Sequence, residues 1–279
     1  MGSCAKLKSR LKTITGLNSI FNAMQVITTV RMKKSRERHT AFSNYIAGIE
    51  EAAEKMDFSP FILNKPTGNT VLIFITSNRG LCGSFNMNLF ARLQAFAGQI
   101  DKNSPLKIIA IGKKGNDFLR ARKYTVNNAY LEEDYDFRFF QELFANLYAE
   151  YLAGTTASVH VMFNKYKSVI KQDTYVYRLL PPEFTLKLEP SNVIQEPSKE
   201  ILAKKLFFML HATLLFHFFL ESKLGESSAR LVTLKGAIES SKELIDDLTI
   251  NLNKSRQQAI TAQLLDLIGS SMGLQKGEE

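Results

Sequence analysis

All seven prolines of this 279-residue chain, Pro60, Pro66, Pro105, Pro181, Pro182, Pro190 and Pro197, lie in its middle, leaving 59 residues before them and 82 after them proline-free. Proline inside a helix removes a hydrogen bond and clashes with the preceding turn, so only the two flanks are free to form long helices. Both carry the matching apolar pattern. Leu7, Leu11, Ile14, Leu17, Phe21 and Met24 step by 4, 3, 3, 4 and 3, and Leu231, Leu234, Ile238, Ser241, Ile245, Leu248 and Leu252 by 3, 4, 3, 4, 3 and 4. A repeat near 3.5 residues is the seam of a left-handed coiled coil, with Ser241 a polar weak point in it. About 50 residues of helix span about 75 Å and about 70 span about 105 Å, too long for a domain core. The simplest solution is an antiparallel pair of helices made from the two ends of the chain, with the middle folded separately. The expected division is 1–59 for the N-terminal helix, 68–196 for the central domain and 198–279 for the C-terminal helix.

The middle reads as alternating strand and helix. Val71–Ile75 is a short continuous apolar run of the kind buried on both faces of a sheet, and Lys107–Ile111 repeats the strand signal. Helices are expected from about Asn86 to Ile100, after Gly112-Lys-Lys-Gly115, and over 136–153. A further strand is expected near Ala157–Asn164, and Tyr175–Leu180 reads as an antiparallel or edge strand. Such alternation predicts a mainly parallel sheet with right-handed crossovers. Leu206–Leu220 is apolar at 12 of 15 positions, hydrophobic nearly all round, so other protein must cover it on several sides. No uncharged apolar run reaches 18 residues, which argues against a transmembrane helix, and the basic N-terminus does not read as a signal peptide.

Charge is concentrated. Residues 1–40 hold nine basic side chains against Glu37 alone, a net +8 of the chain's +9. A field of that density calls for an acidic counterpart in nucleic acid, anionic lipid or a protein loop. The chemistry of an enzyme is sparse. Gly80 with Gly83, and Gly112 with Gly115, match neither a dinucleotide fingerprint nor a phosphate-binding P-loop, and read as tight turns. His39, His160, His211 and His217 show no metal spacing. Cys82 has no base beside it in sequence and reads as a small buried thiol. Two cysteines, Cys4 and Cys82, exclude a disulfide scaffold.

Thr76-Ser-Asn-Arg-Gly-Leu-Cys-Gly-Ser-Phe-Asn-Met-Asn-Leu-Phe90 strongly resembles the Asp-Arg-Gly-Leu-Cys-Gly-x-x-Asn segment of the gamma subunit of the F-type ATP synthase. Ile27–Arg38 is similar to that family's basic N-terminal helix. Glu226-Ser-Ser-Ala-Arg230 and Asn253–Leu264 are similar to its C-terminal helix. Asn78 stands where the family commonly has Asp, Leu252 where it has Tyr, Gly225 where it has Ser and Leu231 where it has Met. The fold implied is α/β: a long antiparallel two-helix coiled coil from the terminal segments plus a central Rossmann-like α/β domain.

The resemblance implies a non-catalytic central rotor of a proton-transporting ATP synthase, coupling ion flow to ATP synthesis or hydrolysis by rotation. It implies partners in the alpha and beta subunits of the catalytic ring, and in the epsilon subunit and membrane rotor ring at the foot. It also implies no cofactor, no bound metal and no catalytic residue in the chain itself. Arg230, Arg256 and Gln257 are expected to make polar contacts with catalytic-subunit loops. Met24, Arg31, Lys33 and Lys34 are expected near an acidic loop of those subunits; internal pairing, such as Arg230 with Glu226 four residues earlier, is the plainer alternative. With no transit peptide or cysteine-bearing regulatory insertion, the expected location is the cytoplasmic side of a bacterial inner membrane. A basic coiled-coil nucleic-acid binder and a small α/β nucleotide enzyme are the alternatives from other classes.

Overall fold

The structure is a computed structural model that describes residues 2–63, 68–100, 105–182 and 198–275. In order, the elements are α1 (Gly2–Ala53), a 3-10 turn at Ser59–Phe61, β1 (Asn69–Ile75), α2 (Phe85–Gln99), β2 (Leu106–Ile111), α3 (Lys113–Ala121), β3 (Val126–Tyr130), α4 (Phe137–Leu152), β4 (Thr156–Tyr166), β5 (Gln172–Leu180) and α5 (Lys199–Gln275). The proline-free flanks are thus helices of 52 and 77 residues. The chain divides into two compact units, Thr28–Val232, and Met1–Ile27 with Thr233–Glu279.

The second unit is a helix pair. Along α1 the half-buried positions Leu7, Leu11, Ile14, Asn18, Phe21 and Gln25 keep the alternating step, and along α5 Leu234, Ile238, Ser241 and Leu248 are buried. Two positions differ from the apolar stripe: Leu17 is 40% exposed and Asn18 takes its place on the seam, and Gln25 is half-buried beside Met24. Asn18 Oδ1 accepts a hydrogen bond of 3.0 Å from Ser241 Oγ. A polar pair at facing seam positions penalises every register in which either residue would meet an apolar one. Ser241, whose hydroxyl also lies 2.9 Å from the Ile238 carbonyl of its own helix, thus has a polar partner on the facing helix.

The first unit is built on a five-stranded sheet of order β3-β2-β1-β4-β5. β1 pairs in parallel with β2 and β4, β2 with β3, and only β5 runs antiparallel, at the edge beside β4. Alternation divides the apolar runs between two layers. Leu72, Phe74, Ile108, Ala110 and Met162 pack with Leu89 and Leu93 of α2 and Leu119 of α3. Val71, Ile73, Ile75, Val161 and Phe163 face the opposite layer, formed by α4, α1 and α5.

That second layer accounts for the apolar run 206–220. By length and composition α5 holds one stretch apolar enough to cross a membrane, but most of it is buried inside the protein. Phe207, Leu215 and Phe219 are fully covered, and Phe218 stacks on Phe163 of β4 with ring centroids 4.4 Å apart. Phe144 of α4 lies parallel to His211, centroids 5.1 Å apart. The cover is aromatic, supplied by α4, the sheet and α1.

His211 is fully buried, and its Nδ1–H donates 2.7 Å to the Phe207 carbonyl. Burial pushes its pKa down to about 4, opposed only by that hydrogen bond. The folded state therefore keeps it neutral while an unfolded histidine protonates near pH 6.5, so its contribution is intact above pH 6.5 and is lost as pH falls toward 4. On going from pH 7 to pH 4.5 the parent chain is expected to lose roughly 2–3 kcal/mol more stability than a His211→Leu variant. Guanidinium unfolding of both proteins at the two pH values measures it; equal losses would show that the imidazole is not excluded from protonation.

Candidate functional site

Three segments singled out in the sequence, the basic stretch of α1, the glycine-bearing loop after β1 and Glu226–Arg230 of α5, meet in one place. They line a cleft of about 200 Å³ in the unit Thr28–Val232, with the loop before α4 as its fourth wall. Six cations, Arg31, Lys34, Arg38, Arg79, Lys223 and Arg230, face it against three acids, Glu133, Asp134 and Glu226.

Arg230 is the inner anchor. Its Nη2 donates to Glu226 Oε1 at 2.7 Å, and both side chains are 8% exposed. The same guanidinium donates to the carbonyl oxygens of Arg79 and Gly80, each at 3.2 Å. Helix spacing brings acid and base together one turn apart, and two more of the guanidinium's five N–H donors reach the loop. Lys223 adds a second partner for Glu226 at 3.3 Å. The function of this cluster within the fold is to fasten the 76–84 loop to α5.

The loop is fixed from its other side as well. Asn78 Oδ1 accepts from the Lys113 backbone N–H at 2.7 Å, and its Nδ2 donates to the Glu132 carbonyl at 2.6 Å. An aspartate, acceptor-only when ionised, could not make the second bond. Cys82, 3% exposed, lies within 3.2 Å of Asn86 Nδ2, and burial pushes its thiol pKa up, which suits packing and not nucleophilic attack.

The N-terminus of α3, where a nucleotide phosphate would sit, is already satisfied by protein. Besides Lys113 N–H on Asn78, Lys114 N–H donates to the Ser77 carbonyl at 3.0 Å and Gly115 N–H to Thr76 Oγ1 at 2.9 Å. The glycines there serve close packing: a Cβ on Gly112 would lie 2.3 Å from the Thr76 carbonyl oxygen, and one on Gly115 2.5 Å from Thr76 Oγ1. This geometry removes the footing of the α/β nucleotide-enzyme alternative.

Two arginines of the basic stretch find their acidic counterpart inside the chain. Arg31 pairs with Glu133 at 3.4 Å and Arg38 with Asp134 at 2.7 Å, while Arg79 also pairs with Glu133. All are substantially exposed, so each pair contributes about 0–1 kcal/mol. Their acids sit in Glu132-Glu-Asp134, whose three successive carboxylates are the sequence signal that pairs with the basic run. Lys33 and Lys34 are exposed on α1. Met24, half-buried, and Arg256 and Gln257, both exposed, belong to the other unit, where Gln257 borders a shallow cleft with Lys254 and Leu265. The structure thus brings Arg31, Lys34 and Arg230 to one cleft and leaves the other candidates outside it.

The family described as ATP synthase matches residues 3–274. The chain is 31% identical to the ATP synthase gamma chain of Chlorobium phaeobacteroides over 290 aligned residues, covering 98% of this chain and 99% of that one. The chain belongs to the ATP synthase gamma-chain family. A second relative, the gamma chain of Geotalea uraniireducens, is 30% identical over 97% of this chain and 98% of its own length. Among solved structures, a chain of the Euglena gracilis mitochondrial ATP synthase, determined with OSCP, F1 and c-ring in rotational state 3, superposes with a TM-score of 0.73. It covers 100% of this chain and 96% of itself at 19% identity. A chain of the Tetrahymena thermophila mitochondrial enzyme, from its central stalk and c-ring, gives a TM-score of 0.63 over 78% of this chain and 99% of its own, at 20% identity.

Proposed function

We propose that the chain is the non-catalytic central rotor of a proton-transporting F-type ATP synthase. The observation that carries this reading is the family match across residues 3–274, nearly the whole chain. In this role the alpha and beta subunits of the catalytic ring surround the helix pair, and the epsilon subunit and membrane rotor ring bind the foot. The complex is a membrane-associated one, and we place the chain peripherally on the cytoplasmic side of a bacterial inner membrane.

Catalysis then belongs to other chains, and this chain supplies a difference in binding free energy. A two-helix shaft is asymmetric, so each ring site meets a different face and favours a different nucleotide state. Side chains on the helices provide the bearing: exposed Arg31, Lys33 and Lys34 with half-buried Met24 toward an acidic loop, and exposed Arg256 and Gln257 toward catalytic-subunit loops. The last turns of α5 present Leu264, Leu265, Leu267 and Ile268, all more than half exposed, as an apolar contact for that wall. Arg230, committed to Glu226 and the loop carbonyls, acts by holding the 76–84 loop. The nucleic-acid alternative would use the same basic stretch, but two of its arginines are already paired with the chain's own carboxylates.

Reconstitution tests the reading. The purified chain alone is expected to show no ATP turnover, and ring hydrolysis is expected to drive proton movement only when the chain is present. Replacing Arg31, Lys33 and Lys34 together by Gln should leave the far-ultraviolet spectrum unchanged and reduce the protons moved per ATP hydrolysed severalfold. Enzyme-like turnover by the chain alone, or tight duplex binding that survives 0.15 M salt (about the ionic strength at which charges more than ~8 Å apart are screened), would overturn it.

A further inference from the structure

Where α1 packs on α5 within the unit Thr28–Val232 there is a cluster that the rotor role does not use. His39 of α1 and His217 of α5 face each other with ring centroids 4.9 Å apart and planes 31° apart. Glu221 lies one helical turn after His217, and its side chain is on the same face. It is 6% exposed. One donor atom from each of the three lies within 4.8 Å of the other two. His39 Nε2 and His217 Nδ1 are both sealed from solvent, and neither has a hydrogen-bond partner. Buried polar atoms are almost always paired, so two orphaned imidazole nitrogens beside one carboxylate call for a common partner.

We propose that His39, His217 and Glu221 form an interhelical site for a divalent transition-metal ion of the zinc class, which fastens α1 to α5 within the unit Thr28–Val232. Two imidazoles and one carboxylate are an established zinc donor set, completed by water at the fourth position. Ligands about 2.0–2.2 Å from zinc in a tetrahedron stand ~3.4 Å apart. The three donor atoms, now within 4.8 Å of one another, must draw together to that spacing around the ion. The backbone N–H of Tyr166 donates to Glu221 Oε1 at 3.2 Å and orients the carboxylate, as outer hydrogen bonds do at metal sites.

The electrostatics agree with the geometry. Burial lowers the pKa of His39, and burial first, then the neighbouring His39 and Lys165, lowers that of His217 to about 4. Both rings are therefore neutral at pH 7, the form that binds metal. Burial raises Glu221 to about 7, against the opposing pull of Lys165, so the carboxylate lacks a sufficient cation. A bound metal supplies it and reverses that shift. Lys165 is the one feature that works against a cation. Its ammonium lies 5.7 Å from the Tyr175 ring centroid, and its field reaches both His217 and Glu221.

That opposition gives the test its signature. The full chain carrying Cys4→Ser, to remove the accessible thiol, is stripped with chelator and titrated with Zn²⁺ alone at pH 7.5, by calorimetry and by thermal melting. One equivalent is expected to bind and to raise Tm, because a ligand held only by the folded state stabilises it. His217→Asn and Glu221→Gln should each weaken binding at least about tenfold and abolish the zinc-dependent rise in Tm. Lys165→Met, which touches no ligand directly, should tighten binding severalfold, an effect that neither a surface site nor a structural defect produces. If a histidine variant fails to fold, Lys165→Met and Glu221→Gln decide between them. The proposal is overturned if Zn²⁺ leaves the parent's Tm unchanged, which would make the gap a water site, or if binding is indifferent to Glu221→Gln and Lys165→Met.

Discussion

Replacing Arg230 by alanine is expected to destabilise the chain by about 3 kcal/mol, the lower end of the 3–5 kcal/mol that follows removal of one partner from a buried ion pair. Arg230 and Glu226 are each 8% exposed, so the variant leaves a carboxylate in a poorly solvated place. It also removes the donor that serves the Arg79 and Gly80 carbonyls. Lys223, 3.3 Å from the other carboxylate oxygen, keeps part of the compensation and holds the effect to the lower end. Denaturant unfolding measures it. The double variant Arg230→Met with Glu226→Gln should recover much of the loss, because no charge is then left buried. A loss below about 1 kcal/mol for Arg230→Ala would mean that water reaches Glu226 freely and that the anchor is not one.

Alanine at Gly112 should cost as much or more. Gly112 has φ 109° and ψ 139°, a conformation that L side chains rarely adopt. Its Cβ would stand 2.3 Å from the Thr76 carbonyl oxygen and 2.8 Å from its carbon, so backbone and not a flexible side chain must yield. Thr76 cannot easily move, since its N–H is bonded to the Ile111 carbonyl at 2.8 Å. Backbone strain of about 1–3 kcal/mol and overpacking of similar size predict a loss of at least about 3 kcal/mol. Gly16→Ala is the control. It lies exposed inside α1 with nothing within 4 Å of its added Cβ, and should gain about 0.5–1 kcal/mol. A Gly112→Ala variant as stable as the parent would show that the β2–α3 turn relaxes at little cost.

Much of this architecture could be read from the residues, and the exceptions have physical causes. β1 and β2 were legible because strands covered on both faces carry nearly continuous apolar runs, and β4 through its apolar segment Val161-Met-Phe163. β3 was not: Val126-Asn-Asn-Ala-Tyr130 is an edge strand whose three central side chains are exposed, so no hydrophobic run marks it. The seam of α1 was legible in period but displaced at two positions, because counting apolar residues selects Leu17 and Met24 where the strict heptad selects Asn18 and Gln25. The cleft was visible only in parts. Its three motifs could each be recognised, but their convergence depends on the sheet carrying the 76–84 loop to the side of α5 that bears Arg230. Its acidic wall, Glu133 and Asp134, sits in a short loop with no periodicity to attract notice. The His39, His217 and Glu221 cluster escaped for a related reason: spacing among histidines alone misses a site whose third donor is a carboxylate and whose first lies on another helix.

The hydrogen bond from Ser241 to Asn18 joins residues 223 positions apart in sequence. A ribosome adds about 5–20 residues per second, so the first helix must wait roughly 10–45 s for its partner to be made. Throughout that interval Leu7, Leu11, Ile14 and Phe21 have nothing of their own chain to close against. Contacts of such separation also carry a high loop-closure cost, which slows their formation once both helices exist. The nascent N-terminal segment is therefore the stretch on which a cell's chaperones would act longest, and its nine cations, repelling one another and the next chain along, keep it soluble while it waits.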